Sequence, residues 1–230
     1  MRRLPTLSRR YALRQAPSPP SGARPLPPFF LRQTSPRSPL LLQGEEPQLG
    51  IFVHRIVASR LLDPAESGSS CLIVCGDNVF RPDIIVQRSK EAAMDPHTLL
   101  SRIRISRVVT IHQFHTLVVS RIEEESKRFQ ASLILLSGIL PLFSDGAVSE
   151  RESSGLLRSV MTTLRGIALR RSVPCILPVD RCEAMKDARS RRLFSLLESL
   201  SESGMLQKLP RDEKSAPHRI PGKLFADQEP

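Results

Sequence analysis

Two glycines, Gly44 and Gly50, offer the first spacing in this chain that could do chemistry. A phosphate-binding loop needs two glycines with four residues between them, so that backbone N–H groups can wrap the phosphates. It also needs a Lys for the terminal phosphates and a Ser or Thr hydroxyl for Mg²⁺. The stretch Gly44-Glu45-Glu46-Pro47-Gln48-Leu49-Gly50-Ile51-Phe52 has five residues between its glycines. If Gly50 is the second loop glycine, Ile51 and Phe52 stand where the Lys and the hydroxyl belong. If Gly44 is the first, Leu49, Gly50 and Ile51 take the Gly-Lys-Thr places. Neither register supplies the cation or the metal hydroxyl. Metal ligation by sulfur is the other chemistry to weigh. Cys71, Cys75, Cys175 and Cys182 are too loosely paired for zinc even with His112 and His115 added, so no metal site is expected. They read as free thiols in a reducing compartment.

The elements that must position these residues begin late. The 230 residues carry 34 Lys and Arg against 23 Asp and Glu, a net charge of +11. Residues 1–44 hold eight Arg, nine Pro and no acid, so the rest of the chain is only +3. This composition predicts a disordered leader over 1–44. Its first fifteen residues, MRRLPTLSRRYALRQ, fit an organelle import peptide, and equally a basic linker or nonspecific nucleic-acid tail. From Ile51 the pattern becomes periodic. Phe52, Val53, Ile56, Val57 and Leu61 predict a helix ended by Asp63-Pro64. Cys71 to Cys75 is a short, continuously apolar run, as expected of a strand covered on both faces. Pro82 starts a helix to about Met94, and Asp95-Pro96 a second through Ile103. Arg104 to Val109 reads as a strand, and Thr110 caps one long helix through Phe129. Ser132 to Leu136 reads as a strand, 145–154 as a polar loop, Leu156 to Ala168 as a helix and Val173 to Leu177 as a strand. An apolar helix near Leu193 to Leu200 follows, then a polar tail from 208. Apolar strands alternating with helices predict an α/β fold with a mostly parallel sheet flanked by helices. The apolar run Leu133 to Phe143 is about half a membrane span, so a soluble chain without membrane partners is expected.

The turn after the strand at Cys71 carries Asp77, then Phe80-Arg81-Pro82-Asp83. A helix, Asp95-Pro96, another strand and His112-Gln113 at the start of the next helix follow. In this order the stretch from about residue 44 to 182 resembles the ATPase core of the RecA/RadA recombinases. The likeness is closer to the archaeal and eukaryotic branch with its recombinase paralogues. It implies an incomplete RecA-like P-loop core over 45–182 and a divergent extension over 183–230. It also implies that Gly44, Leu49, Gly50 and Ile51 form a degenerate phosphate loop. Ser137 falls where the family has a metal-holding Asp, and Asp180 where it has a nucleotide-sensing Gln. Asp77 matches the family's water-orienting Glu, one methylene shorter. Losing the Lys, the metal hydroxyl and the metal carboxylate removes most of the charge stabilisation that phosphoryl transfer needs.

The family's two DNA-facing loops follow its last two core strands. Here they correspond to Asp145 to Ser154, with Arg151, and to the stretch after Asp180, with Arg181, Lys186, Arg189, Arg191 and Arg192. The resemblance therefore implies a DNA repair and recombination protein in the nucleus, or alternatively the mitochondrion. It would be a noncatalytic paralogue whose partners are recombinase-family proteins and DNA, needing no cofactor. One alternative is a DNA-dependent ATPase using ATP and Mg²⁺, whose loop has lost a few codons. Another is a nonspecific nucleic-acid binder acting through its basic tail.

Overall fold

The computed structural model describes residues 38–205. The parts of the expected leader and tail at 1–37 and 206–230 lie outside the described residues. Strand β1, Leu40–Gly44, opens the fold. This corrects the leader boundary at 44: Leu41 and Leu42 have no exposed surface. The composition of the preceding Pro- and Arg-rich stretch masked a three-leucine run that gains its strand partners only from the far end of the chain.

Helix α1, Gln48–Leu62, follows, and stops where Asp63 adopts extended backbone (ψ 121°) ahead of Pro64. Strand β2, Ser70–Cys75, is buried throughout. Helix α2, Pro82–Glu91, has Pro in its first turn. Helix α3, Pro96–Leu100, is capped by Asp95, whose carboxylate accepts from the His97 and Thr98 N–H groups. It ends before the expected Ile103, which instead begins β3, Ile103–Arg107. Thr110 caps α4, Ile111–Ser120, through the Gln113 N–H at 3.2 Å. The expected single helix through Phe129 breaks at Arg121 (φ −127°), and a second helix, α5, Ile122–Arg128, follows. Strand β4 is Ala131–Ser137 and helix α6 Ile139–Phe143. Helix α7, Glu150–Arg171, begins inside the expected 145–154 loop because Ser149 caps it through the Glu152 N–H. Strand β5 is Cys175–Asp180, α8 Arg181–Met185, α9 Ala188–Leu200 and β6 Glu202–Met205. Among the described residues no helix is long and apolar enough to cross a membrane.

The six strands form one sheet in the order β3-β2-β4-β5-β1-β6, and each pairing between neighbours is parallel. The expected α/β class therefore holds, with a parallel sheet between two helical layers. Alternate strand residues sort onto the two faces as the period of two requires. Leu42, Ile73 and Leu135 pack with α1, α2 and α3. Leu41, Val74 and Leu136 pack with α4, α6, α7 and α9. The chain leaves β1 for β2 and β3 on one side, then returns through β4 and β5 before crossing β1 to β6. In such open sheets the crevice beyond the carboxyl ends of the strands, where the winding direction reverses, is the usual ligand position.

Candidate functional site

At that crevice the carboxyl ends of β1, β2, β4 and β5 and the first turns of α1 and α8 surround a cavity of about 360 Å³. Glu46, Leu49, Gly50, Asp77, Ser137 and Asp180 line it. Gly44 stands beside Asp180 in the β1–β5 ladder. The fold thus gathers the residues assigned to a nucleotide site, but not in the roles expected of them.

Leu49, Gly50 and Ile51 are not loop residues. They lie in the first turns of α1, and Leu49 is buried in the core beneath it. The Leu49 N–H donates to the Glu45 carbonyl at 3.0 Å and the Ile51 N–H to the Pro47 carbonyl at 3.1 Å. The Glu46 carboxylate lies against Gly50, near enough for the Gly50 N–H to favour its charged form. Only Glu45, Glu46 and Pro47 connect β1 to α1, too few to wrap a phosphate while their neighbours' donors are engaged. A Cβ on Gly50 would lie 2.9 Å from Glu46 Oε2, so the absent side chain is what lets this carboxylate settle there. An anion at a helix N-terminus is favourable. Here the protein supplies its own.

Asp77 acts as a turn residue and a tie. Its Oδ1 accepts from the Val79 N–H at 3.0 Å, the Ser137 hydroxyl at 2.9 Å and the Cys75 thiol at 3.3 Å, joining the ends of β2 and β4. Ser137 spends its hydroxyl on this bond. Gly138 has φ +69°, and a Cβ there would come within 2.4 Å of the Asp77 N, so the turn requires glycine. Asp180 caps α8 by accepting from the Cys182 N–H at 3.0 Å.

Sequence reasoning missed Glu46, Glu183 and His54, all of which line the cavity. No motif spacing singles out Glu46 or Glu183, and nothing in the helical period marks His54 as a site residue. His54 Nδ1 lies 2.7 Å from the Gly50 carbonyl oxygen, and its Nε2 is 3.1 Å from the Arg81 N–H. The carbonyl can only accept and the N–H only donate, so the ring is neutral with its proton on Nδ1. Burial pulls the His54 pKa below its ordinary value, and the nearby Arg81 charge adds to this. Glu46 moves the other way. Partial burial raises its pKa, the Gly50 N–H partly offsets this, and Asp180 and Asp77 raise it further. Lys186 sits 3.6 Å from Glu183, so its charge is partly answered. Among the lining residues four carboxylates, Glu46, Asp77, Asp180 and Glu183, stand against one Lys, and the nearby Arg81 charge is itself paired with Asp83 at 2.8 Å, so the balance is negative.

These residues do not fit a magnesium nucleotide. The loop donors are engaged, the position for the terminal-phosphate Lys is apolar, and the surrounding charge has the sign of the phosphates. Among the described residues no group of three or more His, Cys, Asp or Glu could hold a metal ion. Burial pushes the Cys71 and Cys175 thiols up to about 12, which leaves them protonated.

The basic residues assigned to DNA divide by location. Arg151 is on the first turn of α7 rather than in a loop, and Arg181 is on α8; both are exposed. Arg192 forms an ion pair with Glu150, and Arg191 donates to the Met185 carbonyl at 3.3 Å. Arg189 Nη2 donates to the carbonyls of Val148 at 2.7 Å and Phe143 at 3.3 Å and to the Ser153 hydroxyl at 2.8 Å. Its guanidinium is a structural clamp on the connection between α6 and α7. No protein-family model matches the chain.

Proposed function

We propose that this chain is a noncatalytic relative of the RecA/RadA recombinases, acting in DNA repair through contacts with recombinase-family proteins and DNA. The observation that carries the noncatalytic part is the Glu46 carboxylate lying against Gly50 at the start of α1, among three further carboxylates. A phosphate entering there would have to displace a covalently tethered anion and face like charge at close range. The α/β sheet, the ordered turn at Phe80-Arg81-Pro82 and the cavity at the strand ends support the likeness on which the family part rests.

A binding role is favoured by the free edge of the sheet at β3. The backbone of this strand pairs on one side only among the described residues. Ile105 is 38% and Val109 68% exposed beside Arg104 and Arg107. An open edge bearing apolar side chains is a template for strand addition by a partner.

Titration of the purified chain with Mg²⁺-ATP tests the catalytic half of this reading. The expected result is neither saturable binding nor hydrolysis above background, with or without DNA. Tight binding by the chain as written would overturn it. It would favour the alternative ATPase reading, which also requires a Lys followed by Ser or Thr after Gly50 in the transcript.

A further inference from the structure

Helix α7 is the longest helix among the described residues, 22 residues or about 33 Å, and its two faces differ in kind. Leu157, Val160, Leu164 and Ile167 are buried in the core. The opposite face runs Arg151, Gly155, Arg158, Thr162, Arg165 and Leu169, all exposed. At about 100° per residue these positions fall within an arc of about 80°, and the three Arg stand about 10 Å apart along a row of about 21 Å. Gly155 and Thr162 keep the row low between them, and a Cβ on Gly155 would meet nothing within 4 Å.

The cations of this row are unanswered by acids. The two acids of α7 are turned to neighbouring helices, Glu150 to Arg192 on α9 and Glu152 to His112 on α4, 3.7 Å from its Nε2. Arg170, off the row, takes Glu123 of α5 at 2.7 Å. The side chains of Arg151, Arg158 and Arg165 have no ion pair or hydrogen bond among the described residues.

We propose that this row is a docking surface for the phosphate backbone of a nucleic-acid duplex. The class of partner is the one in the functional reading above, on which this rests, but the place is a helix face rather than the loops and follows from the placement of charge. A duplex carries about one negative charge per 1.7 Å of its axis, so cations about 10 Å apart meet phosphates in any register. The paired donors of a guanidinium suit phosphate oxygens. No aromatic side chain stands in the row to stack the bases of a single strand, which favours the duplex. Helix α7 is flanked by α4, through His115 and Ser159 at 3.0 Å, and by α9, through Glu150 and Arg192. A layer of three helices is too wide for a major groove of about 12 Å, so the contact is with the backbone and independent of sequence.

Fluorescence anisotropy of the full chain on a short labelled duplex, over a series of salt concentrations, tests this. Arg151→Gln, Arg158→Gln and Arg165→Gln together should lower the slope of log affinity against log salt by about 2–3 and weaken binding at least about tenfold. The three side chains are exposed and unpartnered, so this variant should melt like the parent. Arg55→Gln with Lys90→Gln, on α1 and α2 in the opposite helical layer, should leave the slope unchanged. The proposal is overturned if the folded triple variant keeps the parent slope, or if the Arg55 and Lys90 control loses as much per charge removed. Competition by a single strand, polyglutamate or phosphatidylserine vesicles as strong as by the duplex would assign the row to another polyanion and overturn it as well. If the triple variant keeps the slope while Arg181→Gln lowers it, the row falls and a DNA contact elsewhere on the chain stands. A parent that binds no duplex overturns both.

Discussion

His54 joins two parts of the site through one imidazole, since α1 and the Phe80-Arg81 turn are connected through its two nitrogens. Protonation would place an N–H against the Arg81 N–H and break the second bond. Because the folded protein holds the His54 pKa below the unfolded value of about 6.5, the unfolded chain takes up the proton first. The stability from this arrangement is complete above about pH 6.5 and is lost as pH falls through the folded pKa. Thermal unfolding from pH 7.5 to 5 should therefore fall more steeply in the parent than in His54→Gln. Glu46 has the opposite sign. Its raised pKa means that ionisation is penalised in the fold, so its contribution diminishes as pH rises through the carboxylate range. Gly138 provides a conformational test at the same site. Gly138→Ala should cost about 2–3 kcal/mol in a denaturant titration, from the left-handed φ and the clash with the Asp77 amide. Gly146→Ala, where a Cβ meets nothing within 4 Å, is the control and should change little. The site was half legible in the sequence for a residue-level reason. Asp77, Ser137, Gly50 and Asp180 sit at ends of periodic runs, where motif spacing points. Glu46 and His54 gain their meaning only when α1 starts early enough to bring them together.

At the scale of elements, apolar runs and breakers placed most helices and strands correctly. Asp63-Pro64, Pro82, Asp95-Pro96 and Thr110 each mark a boundary the structure respects. The failures occurred where tertiary pairing outweighs local pattern. β1 has five residues and β6 has four, and neither carries enough periodicity to stand out from a Pro-rich or polar flank. The helix break at Arg121 left no Gly or Pro to announce it. The assignment of β1 has a direct test. Leu41→Ala removes a side chain with no exposed surface from the core shared with Leu177 and Leu197, and should cost about 3 kcal/mol of unfolding free energy. A disordered leader residue would show no such loss.

For the whole molecule, a sheet closed by helices on both faces still presents an open edge at β3. If that edge is the partner surface, Ile105→Lys should abolish co-migration with a purified RecA/RadA-type recombinase in size-exclusion chromatography. Thermal stability should change little, because the Ile105 side chain is 38% exposed. Retained co-migration by a folded variant would remove β3 from the interface. The basic surface contributes less than the net charge suggests. Arg189 is engaged as a clamp and Arg192 is paired with Glu150, so of these residues Arg151 and Arg181 are the more available for the proposed DNA contact.

The strand order has a consequence for how the chain is made. Leu40 is registered against Ile176 on one side and Glu202 on the other, so β1 leaves the ribosome long before either neighbour exists. Until β5 is synthesised, Leu40, Leu41 and Leu42 form a sticky apolar segment with no place to go. A nascent chain stalled before Cys175 should therefore recruit chaperones or aggregate, whereas one released after β6 has both partners available. Folding should accordingly be slow, limited by closing this long loop rather than by forming the helices.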